Sequence, residues 1–169
     1  HRNLLGGGER LRLEAAISGI GIGTGGPDYT LGARLDRPAT MTPDTSAFVL
    51  ANLARLQEAD FSSSMLRLGF GLSHYFSDRL TGEAAVSYSV SQVTDTFETL
   101  QFRAMAVPVS LTWDNRDKPL NATQGFYLDA DVTPFLGFGS TGSGVQIKTE
   151  ARAYRALGAR MVLAGRAQI

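Results

Sequence analysis

Residues 110–128 read SLTWDNRDKPLNATQGFYL, an alternating apolar run that breaks into charged residues and then resumes. Every second residue is apolar up to Trp113, and the alternation returns at Phe126. A period of two is the repeat of a pleated strand with unlike faces. Within the break, Pro119 fixes its own φ and lacks an amide donor, and Gly125 tolerates positive φ. The stretch therefore predicts two antiparallel strands joined by a hairpin turn.

Side-chain parity also predicts the register of this hairpin. Trp113 is expected opposite Leu128 on one face, and Asp114 opposite Tyr127 on the other. Arg116 is expected opposite Gly125, with space to reach back to Asp114 or across to the acidic residues of the turn, and that bidentate pairing would hold the turn closed.

The same alternation recurs along most of the chain. It covers residues 10–18, 29–36, 66–73, 83–90, 104–116, 126–133, 145–152 and 160–169. The segment Ser46 to Gln57, SAFVLANLARLQ, does not sort its apolar residues onto one face. Its neighbours favour a strand, which gives nine strands in all, but an amphipathic helix started by Pro43, Asp44 and Thr45 remains an alternative.

Connections between these segments alternate in character. Residues 6–9, 40–45, 76–79 and 156–159 are short and turn-rich, whereas residues 56–64, 91–101 and 134–144 are longer and polar or glycine-rich. Short turns at one end and longer loops at the other are typical of an up-and-down antiparallel meander.

Composition excludes several classes of protein. The 169 residues include 16 Lys+Arg and 16 Asp+Glu, so the formal net charge is zero. Nucleic acid is therefore not expected as a partner, because its binding usually requires an excess of positive charge. The absence of cysteine removes thiolate metal sites, and the two histidines, His1 and His74, are too isolated to form a metal site.

Alternation alone does not decide which face is wet, because soluble barrels and outer-membrane barrels share the period. Strands near ten residues, polar faces that mix small residues with both charges, and the aromatic residues beside the short turns favour a membrane barrel. The lipid-facing residues would then include Leu11, Leu13, Leu68, Phe70, Val107, Val109, Leu111 and Leu128. The lumen-facing charges would be Arg10, Arg12, Glu14, Arg34, Arg67, Glu83, Asp129, Asp131, Lys148, Glu150, Arg152 and Arg166.

A family resemblance supports this interpretation. Residues 113–137, WDNRDKPLNATQGFYLDADVTPFLG, resemble a strand-joining hairpin of the BamA/TamA outer-membrane assembly superfamily, and residues 2–19, RNLLGGGERLRLEAAISG, resemble an earlier turn and strand of those barrels. The hairpin motif consists of Trp113, Asp114, Arg116, Asp117, Pro119 and Gly125. Its RDKPLNATQGF form is most similar to TamA-type autotransporter assembly proteins.

The resemblance implies an all-β, antiparallel, up-and-down transmembrane β-barrel of sixteen strands. Residues 1–169 would be a partial outer-membrane barrel domain of about nine strands, excised from a longer protein. The periplasmic POTRA modules, the terminal strands and a Val-Arg-Gly loop would lie outside it. The expected function is insertion or secretion of β-barrel or autotransporter clients by strand pairing at a barrel seam in the bacterial outer membrane.

The same resemblance implies outer-membrane lipid, client proteins and a TamB-like periplasmic protein as partners, with no enzymatic activity, cofactor or metal. A passive diffusion channel and a soluble ligand-binding β-barrel are the alternatives. Asp114, Arg116 and Asp117 are interpreted as turn-capping residues because no histidine or serine accompanies them. The glycine-rich residues 19–26 are interpreted as a loop tip and not as a phosphate site.

Overall fold

A computed structural model of the chain describes residues 6–20, 26–58, 60–158 and 161–169. In these ranges the secondary structure is entirely strand and turn, without a helix. The strands are β1 (Arg10–Ser18), β2 (Asp28–Arg37), β3 (Thr45–Gln57), β4 (Phe61–Ser77), β5 (Leu80–Asp95), β6 (Thr99–Ala106), β7 (Val109–Asp114), β8 (Gly125–Phe138), β9 (Gly144–Ala156) and β10 (Val162–Gln168). No helix in these ranges has the length and apolar character needed to cross a membrane.

All ten strands belong to one antiparallel sheet, in which β6 and β7 lie end to end between β5 and β8 and the other strands follow one another in chain order. Within the described ranges, β1 pairs only with β2 and β10 pairs only with β9. The predicted all-β, up-and-down antiparallel architecture is confirmed.

The ambiguous segment from Ser46 to Gln57 is strand β3, so the helix alternative is wrong. Phe48 interrupts the alternation of apolar and polar residues because it lies on the polar face, where only 3% of its surface is exposed. Val49, on the apolar face, is 51% exposed. Both faces of β3 therefore carry large apolar residues, and no single apolar face can be read from the sequence.

The predicted strand 104–116 is interrupted, which raises the count from nine to ten. Val107 and Pro108 separate β6 from β7, but the pairing register with β5 and with β8 is the same on both sides of the gap. The amide of Ala85 donates to the Pro108 carbonyl at 2.9 Å, and the amide of Val107 donates to the Pro134 carbonyl at 3.0 Å. Since proline has no N–H, each proline removes one ladder bond here, and the strand continues without changing course.

The predicted alternation of short turns and long loops is wrong. Residues 58–60 and 96–98 are all that separate β3 from β4 and β5 from β6, because the polar segments there extend the strands. The connection 115–124 lies at the end where short turns were expected. Polar composition marked the end of the apolar face and not the end of the strand.

The sheet has one apolar and one polar face. We define the apolar face as the side of Leu68, Phe70, Val109 and Trp113, whose exposed fractions are 50%, 62%, 46% and 42%. The polar face is the opposite side. Among the described residues, Phe48 and Ala85 are the only buried hydrophobic residues, so the sheet has no second apolar layer packed on it.

Candidate functional site

The charged residues predicted to face a lumen all share the polar face. Register places Arg12 opposite Arg34, Arg67 beside Asn52, and Asp131 opposite Lys148. Charges on neighbouring strands thus form rows across the sheet, from β1 to β10.

The hairpin between β7 and β8 has the predicted register. Trp113 pairs with Leu128 and Asp114 pairs with Tyr127, and the rings of Trp113 and Phe126 meet edge to face with centroids 5.0 Å apart. Arg116 forms the predicted bidentate pair, with Nε and Nη2 donating to Asp114 at 2.8 and 2.7 Å. A third donor, Nη1, reaches the carbonyl of residue 119 at 2.9 Å. The guanidinium thus joins the end of β7 to the following turn.

Asp117 closes the same turn from the other side. The Thr123 hydroxyl donates to Oδ2 at 2.7 Å, and the amides of Thr123 and Gln124 donate to Oδ1 at 2.9 and 3.1 Å. These donors, the Thr123 hydroxyl first, hold the pKa of the Asp117 carboxyl well below its usual range because they stabilise the charged form.

Gly125 is required where the chain turns back into β8. Its φ is +99°, and a Cβ there would lie 2.1 Å from the Asn115 carbonyl oxygen and 2.9 Å from the Arg116 Cα. Both obstacles are backbone atoms, so neither can move without opening the hairpin.

An aromatic and cationic cluster continues from the hairpin across β8, β9 and β10. The Tyr127 ring lies 4.9 Å from the Arg116 guanidinium and 5.4 Å from that of Arg152. Glu150 accepts from Arg152 at 2.5 Å and from Arg166 at 2.6 Å. The cluster therefore ties three strands together on the polar face.

A second cluster lies on β2 to β5. Arg34 donates to Asp36 at 2.8 Å and to both oxygens of Glu83 at 3.1 and 2.8 Å. Its guanidinium covers the Phe48 ring, 3.7 Å from the centroid. Beneath it, Phe48 sits opposite Gly71, where a Cβ would come within 2.6 Å of the ring. The missing side chain at Gly71 makes room for the aromatic ring.

Arg34 and Glu83 meet although β3 and β4 lie between their strands. In a flat sheet β2 and β5 would be about 14 Å apart, since neighbouring strands are spaced by about 4.8 Å. A pair that spans this distance requires both long side chains to lie flat along the polar face. Such a contact braces four strands at once.

Other predicted charges are not brought into ion pairs. Among the described residues, no salt bridge involves Arg10, Arg12, Arg67 or Lys148. Arg10 and Arg12 instead line a polar cleft of about 530 Å³ on the same face, beside the Arg34 cluster.

The described residues hold no group of three or more His, Cys, Asp or Glu side chains that could bind a metal ion. His74 accepts or donates a 2.8 Å hydrogen bond with Thr45 and meets Phe76 edge-on. His1 lies outside the described residues, as does most of the glycine-rich segment 19–26.

Sequence reasoning missed two contributors to these clusters. Asp36 was detectable, since it follows Arg34 by two residues and so shares its face. Phe48 gave no usable signal because its strand carries apolar residues on both faces.

Comparison with known protein families identifies the superfamily of the chain. The family model of the Omp85 superfamily domain matches residues 3–169. The chain belongs to the Omp85 superfamily. Members of this superfamily are outer-membrane proteins of Gram-negative bacteria that act in outer-membrane protein assembly or translocation. No curated protein and no solved structure matches the chain.

For this Omp85 domain, the polar face offers fixed charges and hydrogen-bond donors held by neighbours on adjacent strands. The paired arginines have their donors directed at carboxylates, so they stabilise the wall of the sheet. Arg10 and Arg12, which form no salt bridge with the described residues, have donors that face the cleft.

Proposed function

We propose that this Omp85 domain is part of the wall of a TamA-type barrel in the bacterial outer membrane. The barrel inserts or secretes β-barrel or autotransporter clients by pairing an incoming strand at its seam. The match over residues 3–169 carries the proposal. The TamA-type assignment is supported by the RDKPLNATQGF form of the hairpin.

The two faces support a membrane wall. On β4 the apolar face runs from Leu66 to Phe76, interrupted only by His74 near its end, and is about 33 Å long along the strand at about 3.3 Å per residue. A strand tilted by about 40° gives this run a height of about 25 Å, which is the usual height of the lipid-facing band of an outer-membrane barrel. The charged face then lines an aqueous lumen.

In this proposal the residues of the domain do mechanical work and no covalent chemistry. The hairpin bonds of Arg116 and Asp117 and the brace from Arg34 to Glu83 keep the wall rigid while a seam elsewhere in the barrel opens. The reaction needs no cofactor. Its partners are outer-membrane lipid, client proteins and a TamB-like periplasmic protein.

The proposal is tested with the full-length protein reconstituted in phospholipid vesicles. An unfolded autotransporter barrel is added. Its conversion to the folded form, which resists SDS and migrates as a compact species when the sample is not boiled, is followed in time. We expect faster conversion than in empty vesicles, and faster than in vesicles that carry an unrelated barrel. Equal rates in all three would contradict the assembly function.

Two alternatives give different results. A passive diffusion channel would show a large, steady conductance in planar bilayers without accelerating client folding. A soluble ligand-binding barrel would fold as a monodisperse protein without detergent.

A further inference from the structure

Outward-facing residues near one end of β3 to β6 form a polar collar above the apolar band. We define the outer collar as Arg55, Gln57, Ser64, Gln92, Gln101 and Arg103. Register places Arg55, Ser64, Gln92 and Gln101 side by side in one row. The row belongs to the apolar face, because each member is two residues from an apolar-face position on its strand.

The change from apolar to polar is abrupt. The neighbouring row, closer to the band, contains Leu53, Leu66 and Val90 and ends in Arg103, which sits beside Phe138. No carboxylate stands among the described residues of the collar row or of the row beyond it, from Gln57 to Thr99. The collar side chains therefore comprise two cations and several neutral hydrogen-bonding groups, and the carboxylate in contact with a collar residue is that of Asp28, which accepts from the Gln57 backbone amide at 2.7 Å.

Both arginines keep donors available. Arg55 donates one hydrogen bond to the Tyr29 hydroxyl at 3.0 Å, and Arg103 donates one to the Gln101 side chain at 2.6 Å. Neither forms a salt bridge among the described residues. A guanidinium has five N–H donors in a planar fork that matches a phosphate, so each arginine can still bind one.

Strand length indicates which leaflet the collar meets. At the opposite end, residues 78 and 79 turn β4 into β5 directly after Phe76, so that hairpin ends at the edge of the apolar band. At the collar end, β4 continues to Phe61 and β5 to Asp95, beyond the band. Outer-membrane barrels have short periplasmic turns and extend further on the outside. The lengths of β4 and β5 favour the extracellular side for the collar, whereas the connection 115–124, at the opposite end, is ten residues long. The proposal rests on the two strands and places the collar at the outer leaflet, whose lipids in Gram-negative bacteria carry phosphorylated sugars.

We propose that the outer collar binds the phosphorylated saccharide headgroup of outer-leaflet glycolipid. Arg55 and Arg103 contact phosphate, and the amide and hydroxyl side chains between them contact sugar hydroxyls. The acyl chains lie on the apolar face directly below. This interaction rests on placement in the outer membrane but is independent of client assembly.

The test uses native mass spectrometry of the detergent-purified full-length protein titrated with diphosphorylated lipid A. We expect the double variant Arg55→Gln, Arg103→Gln to bind at least about tenfold more weakly, since the loss of a single charge-assisted hydrogen bond already corresponds to about tenfold. The matched control is Arg67→Gln, which removes an arginine from the polar face of β4 and is expected to bind like the wild type. Folding of each variant is checked by comparing the gel mobility of unboiled and boiled samples in SDS.

Competition identifies the ligand. Phosphatidylglycerol is expected to displace lipid A only at much higher concentration, and lipid A without its phosphates is expected to bind as weakly to the wild type as intact lipid A binds to the double variant. Unchanged affinity in the folded double variant, equal loss in the control, or equal competition by phosphatidylglycerol would each overturn the proposal. Client folding in vesicles free of glycolipid is a separate readout, so failure here leaves the assembly function untouched.

Discussion

At the scale of single residues, Gly125 sets the strictest requirement of the hairpin. Gly125→Val forces a β-branched residue to φ +99° and drives its Cβ into the Asn115 carbonyl. We expect a large loss of folded full-length protein, measured as the fraction that resists SDS and migrates as a compact species in unboiled samples. Lys118→Ala in the same turn is the control and is expected to fold like the wild type. Unchanged yield in Gly125→Val would show that the turn has a different geometry.

Asp117 predicts an acid dependence of the same turn. Its pKa is lower in the folded state than in the unfolded chain, so its stabilising effect is complete above the unfolded pKa of about 3.9 and is lost as pH falls towards the folded pKa. The difference in unfolding midpoint between the wild type and Asp117→Asn should therefore shrink between pH 6 and pH 3. A difference that stays constant over this range would contradict the three hydrogen bonds.

At the scale of elements, the two prolines explain why β6 and β7 are separate. Pro108→Val restores an amide that faces the Ala85 carbonyl, since residues 85 and 108 are a directly paired position of the ladder. We expect stabilisation of up to about 1 kcal/mol, the usual net contribution of one hydrogen bond, measured by urea unfolding in detergent. A loss of stability of similar size would mean that the strand bends at this site.

The limits of the apolar band give a second prediction for elements, within the single strand β4. Leu72→Lys places a charge near the middle of the band and should cost about 2–4 kcal/mol, whereas Ser64→Lys in the collar should cost about 0–1 kcal/mol. Both positions face the same side, eight residues apart, so the comparison isolates depth. Equal costs in a urea unfolding series would contradict the placement of the band edge.

Sequence parity predicted the hairpin register, the strand pairing and the common face of the charges, because a period of two fixes side-chain direction wherever one face is apolar. It failed where that condition fails. Phe48 broke the pattern of β3, and the polar ends of β4 and β5 imitated loops. The brace from Arg34 to Glu83 was beyond prediction because it joins strands that are not neighbours.

At the scale of the whole molecule, the described residues form a single sheet with one apolar and one polar face, which meet lipid and water in the proposed barrel wall. Among the described residues the apolar face is not covered by a second apolar layer, and in the proposed wall lipid covers it. The stability of the domain then depends on the bilayer as well as on side-chain contacts of the polar face. There the Arg34 cluster connects strands β2 to β5, and the contacts that continue from the hairpin connect β8, β9 and β10. An assembly factor benefits from this division, because a rigid wall confines opening to the seam.

The most direct test of this account is nitroxide labelling at positions 65, 66, 67, 68, 70, 72 and 73 of β4, in the full-length protein in phospholipid vesicles. Gly69 and Gly71 are left unlabelled because a side chain at either position would crowd its neighbours. Accessibility to oxygen, which partitions into lipid, is compared with accessibility to a water-soluble nickel chelate. We expect strict alternation, with labels at 66, 68, 70 and 72 exposed to oxygen and labels at 65, 67 and 73 exposed to nickel or shielded by the polar face. Nickel accessibility at 68 and 70, or an accessibility pattern without a period of two, would contradict a membrane-embedded wall.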